Sequence, residues 1–152
     1  MKDNPNYSRD IRVIVHLLFF AFTCILMSVN ETLAQSERNL VREGNQMYKD
    51  KKFSDAEVNY KKSISVNKDS KPALFNLGDA YYKQGKFDDA TKQFEGLSSD
   101  KSLDKETQSK ALHNLGNAYL QSKKYPESIN AYKNALKLNP KDNDTRYNLA
   151  YA

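Results

Sequence analysis

One phrase of fourteen residues is written three times in this chain. It reads "LVREGNQMYKDKKF" from Leu40 to Phe53, "LFNLGDAYYKQGKF" from Leu74 to Phe87 and "LHNLGNAYLQSKKY" from Leu112 to Tyr125. Gly44, Gly78 and Gly116 mark its period, 34 residues and then 38. Self-similarity at that spacing specifies an array of stacked helical units before any other fold is considered, since one unit cannot bury its apolar face alone.

In the second copy Leu74, Leu77, Gly78 and Tyr81 fall at i, i+3, i+4 and i+7, which places them on one helix face. Gly85 then interrupts the pattern, and Phe87, Ala90, Phe94 and Leu97 form a second apolar stripe. Each repeat is therefore predicted to be a helix, a short turn and a second helix. Glycine inside a helix costs about 1 kcal/mol relative to alanine, so three at matching positions point to close packing. Gly78 and Ala90 are expected to let the two backbones approach, with Tyr81 and Phe94 interlocking across the pair. Gly44 with Ala56 and Tyr60, and Gly116 with Ser128 and Tyr132, are the counterparts. Pro140, which lacks the N–H a helix needs, ends the last pair.

The four extra residues of the second junction lie in "EGLSSDKSLDKETQSK". Gly96 and the Ser-Ser-Asp after Leu97 are expected to end the preceding helix. Four residues is close to one turn, so the following helix either starts early, near Asp104, or follows a longer loop. After Pro140, "KDNDTRYNLAYA" begins a fourth unit that stops short; it reads as a capping helix in which Tyr147 and Leu149 cover the end of repeat three.

Leu112, Leu115, Gly116, Tyr119, Tyr125, Tyr132, Ala135 and Pro140 carry a pattern that resembles the tetratricopeptide repeat (TPR). Two more copies stand in register; Glu43, Met47, Lys68 and Ser102 depart from it, and the first repeat is the weakest. The resemblance implies an all-α fold, a right-handed superhelix of three helix-turn-helix repeats at about 37–70, 71–104 and 109–142, with a cap at 143–152. With the leader described next and the closing "NPKDNDTRYNLAYA", the chain also resembles the BatC-type TPR proteins of bacterial aerotolerance operons. That narrower resemblance implies an exported or membrane-associated protein whose partners are membrane proteins with von Willebrand factor A domains.

Residues 1–34 read as a leader ahead of a domain at 35–152. Lys2, Arg9 and Arg12 precede the apolar run Val13 to Val29, and Thr32 and Ala34 occupy the −3 and −1 positions of a signal-peptidase site. The leader is either cleaved after Ala34 or kept as an anchor. The expected location is accordingly the periplasm or the periplasm-facing inner membrane, with membrane contact through the leader only. Cys24, the single cysteine, follows bulky Phe22 and branched Thr23, where a lipidation signal has small residues, so an inert thiol is expected.

Catalysis finds little to work with. Beyond residue 34 the chain has one histidine, His113, and no cysteine, so neither a nucleophile–base pair nor a Cys/His zinc site can be assembled. Asp88, Asp89, Asp142 and Asp144 read as helix N-terminal charges that favour the macrodipole. The net charge is +5, but the lysines are interspersed with acids, as on a solvated helical surface and unlike a nucleic-acid stripe. No cofactor is expected.

Function is expected on the face made by the first helix of each repeat, which stacking curves into an extended groove. In the TPR register that face carries Arg38, Arg42, Asn45 and Lys49, then Phe75, Asn76, Asp79 and Tyr82, then Lys110, His113, Asn114 and Asn117, with Asn148 from the cap. Amides both donate and accept, so a row of them suits the backbone of an extended peptide or protein segment. Asn76 and Asn114 are expected to face solvent and Phe75 to be an exposed anchor. Asn45, Asn76 and Lys110 also resemble part of the carboxylate clamp of chaperone-binding TPR domains, although Val41 and Asn114 stand where that clamp has cations. Two readings follow: an exported scaffold that binds a segment in its groove, or a membrane-anchored structural subunit of an envelope assembly.

Overall fold

A computed structural model describes the backbone of residues 5–152; of the side chains before Glu31 it describes those of His16, Leu18, Phe19, Phe20, Phe22 and Thr23. Most of the side chains that define the leader, Cys24 among them, lie outside the described residues. Among the described residues no helix is long and apolar enough to cross a membrane.

Among the described residues seven helices follow one another: α1 (Pro5–Lys49), α2 (Phe53–Val66), α3 (Lys71–Lys83), α4 (Phe87–Ser99), α5 (Lys105–Gln121), α6 (Tyr125–Leu138) and α7 (Asn143–Tyr151). Residues from Glu37 to Ala152 form one compact unit, separate from the residues up to Ser36. Within it the end of α1 pairs with α2, α3 with α4 and α5 with α6. Each helix from α2 onward packs on the next.

The turn inside each pair is the same device three times. Lys52 N–H donates to Met47, Lys86 to Tyr81 and Lys124 to Tyr119, each at 2.9 Å, across a residue in the left-handed region. That residue is Gly85 (φ 75°) in the second repeat but Lys51 (58°) and Lys123 (59°) in the others. Only glycine adopts this conformation without steric cost. Lys52, Lys86 and Lys124 give no side-chain cap to the helices that follow. Acids in the first turn, Asp55, Asp88 with Asp89, and Glu127, serve the exposed N–H groups there. The helices that open a repeat are capped in the ordinary way, by Ser70, Asp104 and Asp142.

The longer junction is resolved in favour of a longer helix. α5 has 17 residues against 13 in α3, and its N-cap Asp104 accepts from Thr107 N at 2.8 Å. Gln108 Nε2 staples the added turn to the carbonyls of Asp100 (2.9 Å) and Leu103 (3.0 Å). Gly96 does not end α4, which runs on to Ser99; the glycine sits exposed inside the helix. Ser98 and Ser99, whose hydroxyls bond back to the Glu95 carbonyl, mark the true end.

Each glycine of the repeated phrase makes room for an aromatic ring of the second helix. A Cβ on Gly78 would lie 2.8 Å from the Phe94 ring, and one on Gly44 would lie 2.5 Å from Tyr60; Gly116 stands against Tyr132 in the same way. Ala56 and Ala90 are fully buried a turn before those rings. Ser128, equally buried at the matching position, satisfies its hydroxyl by donating to the Gly116 carbonyl at 2.8 Å. Pro140 follows the end of α6, as its missing donor requires.

The cap docks through different residues from those expected. Tyr147 is 74% exposed, while Thr145 is fully buried against repeat three and Leu149 is half-buried. Thr145 takes this place because its hydroxyl is served on both sides, by Asp142 Oδ2 and by His113 Nδ1, each at 2.6 Å.

Candidate functional site

The first helices of successive repeats are joined by a ladder of side chains. Asn76 Nδ2 donates to Asn45 Oδ1 (2.7 Å), Asn114 Nδ2 to Asp79 Oδ1 (2.9 Å) and Asn148 Nδ2 to Asn117 Oδ1 (3.0 Å). Each acceptor is the residue after the repeat's glycine. In two rungs it also takes a phenol: Tyr60 donates to Asn45 at 2.9 Å and Tyr132 to Asn117 at 2.7 Å. The middle repeat has Phe94 where these tyrosines stand, and among the described residues Asn114 is the one side-chain donor to Asp79.

Asn76 and Asn114 are therefore half-buried and engaged, not free in solvent as their spacing suggests. The reason is geometric: a residue on the groove face near the middle of one helix looks across at its neighbour in the next. Phe75 is likewise no free anchor. Its ring sits edge-on to Phe94, with centroids 5.7 Å apart, and it is half-buried.

Depressions among the described residues run along this face and share their walls. One lies among Asn45, Tyr48, Lys49, Tyr60, Asn76 and Asp79, with a volume of about 270 Å³. The next passes through Tyr48 and Asp79 to Tyr82, Lys83, Asn114 and Asn117. Asn114 leads to a third at Phe75, Lys110, His113, Asp142 and Asp144. Phe75 and Lys110 lead to a fourth, mostly apolar, against Leu97, Leu103 and Thr107. Arg38 and Arg42 are exposed earlier on α1, and Lys110 pairs with Glu106 at 2.7 Å. The structure thus brings Asn45, Asn76, Asp79, Tyr82, Asn114, Asn117 and Asn148 together along one line.

Burial governs the electrostatics. It lifts the Asp79 carboxyl to about 6, against a smaller opposing pull from Lys83. Tyr48 is raised by burial and by the Asp79 charge, and Tyr60 is pushed up to about 12 by burial, Tyr48 and Asp79. Burial lowers His113, while Asp142 and Asp144 pull it back. Its Nδ1 meets the Thr145 hydroxyl and its ring lies 5.9 Å from that of Tyr132. These contacts fasten the cap to α5 and α6. Among the described residues no group of three or more His, Cys, Asp or Glu is placed to hold a metal ion.

Sequence reasoning missed Tyr48, Lys83, Leu103, Thr107 and Thr145. Tyr48 was within reach, because it stands in register with Tyr82. Leu103 and Thr107 belong to the added turn, which has no counterpart in the other repeats to align with.

Helical hairpins stacked in series, with a lined groove on the face of their first helices, define a repeat scaffold. Two family models, each described as tetratricopeptide repeat, match residues 47–112 and 109–142. The chain belongs to the tetratricopeptide-repeat proteins, and its fold is their right-handed superhelix of three repeats with a capping helix. No curated protein matches the sequence. Among solved structures it is similar to the N-terminal domain of stress-induced protein-1 from C. elegans, at 20% identity and TM-score 0.69, covering 78% of this chain and 95% of that one. The first TPR of Spaghetti (RPAP3), bound to the HSP90 peptide SRMEEVD, is 23% identical with TM-score 0.69 over 77% and 90% of the two chains. The second TPR domain of human RPAP3, in complex with the HSP70 peptide SGPTIEEVD, is 24% identical with TM-score 0.67 over 80% and 95%. At these identities the likeness is one of fold.

Proposed function

We propose that the repeat unit is a non-enzymatic scaffold that holds an extended protein or peptide segment along the face of α1, α3, α5 and α7. The carrying observation is the unbroken run of shared walls from Asn45 to Asp144, lined by amides, phenols and a few charges. Such groups bind peptide backbone whatever its sequence. The peptide complexes of the RPAP3 domains support the use of this fold for that purpose. The binding mode differs from a clamp for a terminal carboxylate: Asn45 and Asn76 are bonded to each other, and Val41 and Asn114 are not cations.

The leader reading and the BatC-type resemblance extend this to an exported scaffold in a bacterial envelope complex, with von Willebrand factor A-type membrane proteins as partners. The second reading, a membrane-anchored structural subunit, rests on the same leader kept uncleaved. N-terminal sequencing from cells separates them: Gln35 as first residue supports the former, an intact Met1 the latter. The groove is tested with a photo-crosslinking residue placed at Tyr82, in the groove, or at Val58, 50% exposed on the outer helix α2. Partner adducts are expected from position 82 and not from 58; the reverse pattern would sink the proposal.

A further inference from the structure

The groove floor has one charged rung. Asn45 and Asn117 each receive an amide and a phenol, so their acceptor oxygens are satisfied within the protein. Asp79 receives an amide alone, because Phe94 supplies no hydroxyl. It is also a carboxylate where the other rungs have neutral amides. Each of its two oxygens can accept more than one hydrogen bond, yet Asn114 is the one side-chain donor among the described residues. Asp79 lines both central depressions, with Tyr48 shared between them and Tyr82 beyond.

An acid with unused acceptor capacity, flanked by aromatic rings in a partly desolvated cleft, suits a cation better than a neutral donor. A charge-assisted hydrogen bond is about twice as strong as a neutral one, and the faces of Tyr48 and Tyr82 favour positive charge. The charged groups that line these two depressions with Asp79 are Lys49 at the end of α1 and Lys83 on α3, both exposed. α4 presents Phe94, and α5 presents Asn114 and Asn117. These two lysines repel a polybasic segment but leave room for one basic side chain, and they favour acidic residues beside it.

We infer that Asp79 sets the specificity of the groove by accepting one lysine or arginine side chain of the bound segment, flanked by neutral or acidic residues. This rests on the scaffold reading above. Its sequence mark is the pair Asp79 and Phe94, which departs from Asn45 with Tyr60 and from Asn117 with Tyr132.

The test uses the full chain and a phage-displayed random peptide library, followed by synthetic peptides of the selected sequence in a fluorescence anisotropy titration. The selected peptides are expected to share one lysine or arginine at a fixed position. Replacing it by norleucine is expected to weaken binding about tenfold or more, the scale of a lost hydrogen bond to a charged group. Asp79→Asn is expected to do the same. So is Phe94→Tyr, which adds the phenol the other two rungs already have and silences the acid from inside. If peptides are selected without a fixed basic position, or if norleucine, Asp79→Asn and Phe94→Tyr leave affinity unchanged, the role of Asp79 is refuted and the scaffold reading stands. If the library yields no binder, the scaffold reading falls and this inference with it.

Discussion

Asp79 binds its proton more tightly in the folded chain than in the unfolded one, because burial lifts its carboxyl from 3.8 to about 6. Between those two values the native state holds a proton that the unfolded state has released. Stability contributed at this residue therefore falls as pH rises from about 4 to about 6 and stays lost above. Asp79→Asn keeps an acceptor for Asn114, as Asn45 and Asn117 do for their donors, and removes the charge. At pH 7.5 it should unfold at higher denaturant than the parent, by roughly 1–2 kcal/mol, and the difference should shrink toward zero at pH 4. Equal stability at both pH values would contradict the assigned burial. Glu57 titrates in the opposite sense. Burial alone would raise it, but Lys61, Lys86 and Gln84 hold it down at about 2. Its stabilising share is thus present above its ordinary value and lost as pH falls toward 2. Spacing alone places Asn45, Asn76, Asp79 and Asn114 on the groove face. It does not reveal that they bond to each other, because partners 31 or 35 residues apart meet only through the angle between hairpins.

At the scale of the helix, two glycines in similar settings should respond in opposite directions. Gly96 lies inside α4 with open space where a Cβ would go. Gly96→Ala should raise stability by about 1 kcal/mol through helix propensity alone. Gly78 lies inside α3, where a Cβ would stand 2.8 Å from the Phe94 ring and 3.3 Å from Gln93 Cβ. The same propensity gain is offset there by overpacking, which costs typically about 1–3 kcal/mol, so Gly78→Ala should be destabilising. Thermal or denaturant unfolding of the two variants side by side checks this; two changes of the same sign would void the ring-contact account. The repeated phrase makes the glycine's closeness to something legible. It does not single out the ring, since Ala90 and Phe94 stand on one stripe and either fits the spacing. The count of four extra residues leaves either an added turn on α5 or a longer loop before it, and the Asp104 cap with the Gln108 bonds decides for the turn. The Ser-Ser-Asp end of α4 is legible; Gly96 is no stop, because an exposed helix tolerates a glycine that costs it only about 1 kcal/mol.

Across the whole unit, stability is passed between neighbours, since each repeat touches only the next. α7 therefore matters most to α5 and α6. It supplies Asn148 to Asn117, Thr145 to His113, and cover for the end of the array. Deleting residues 143–152 should lower stability by about 2–3 kcal/mol, the scale of two hydrogen bonds and some apolar burial. Hydrogen exchange should show α5 and α6 losing protection before α2; equal loss in all three would mean one indivisible block. The number of repeats and the presence of a cap follow from the period in the sequence. The side of α7 that docks does not, because Tyr147 is the more apolar candidate and Thr145 prevails through its own N-cap Asp142 and through His113 on α5.

The phenol oxygen missing from the middle rung has a genetic side. Codons for phenylalanine and tyrosine differ in a single base, so one transversion at position 94 would close the rung, and its reversal would open it again. A change of that size leaves the ring, the glycine it rests on and the helices around it as they are. Preference for a cationic side chain is then a trait that selection can add or remove by itself, while the capacity to hold a segment is inherited with the array.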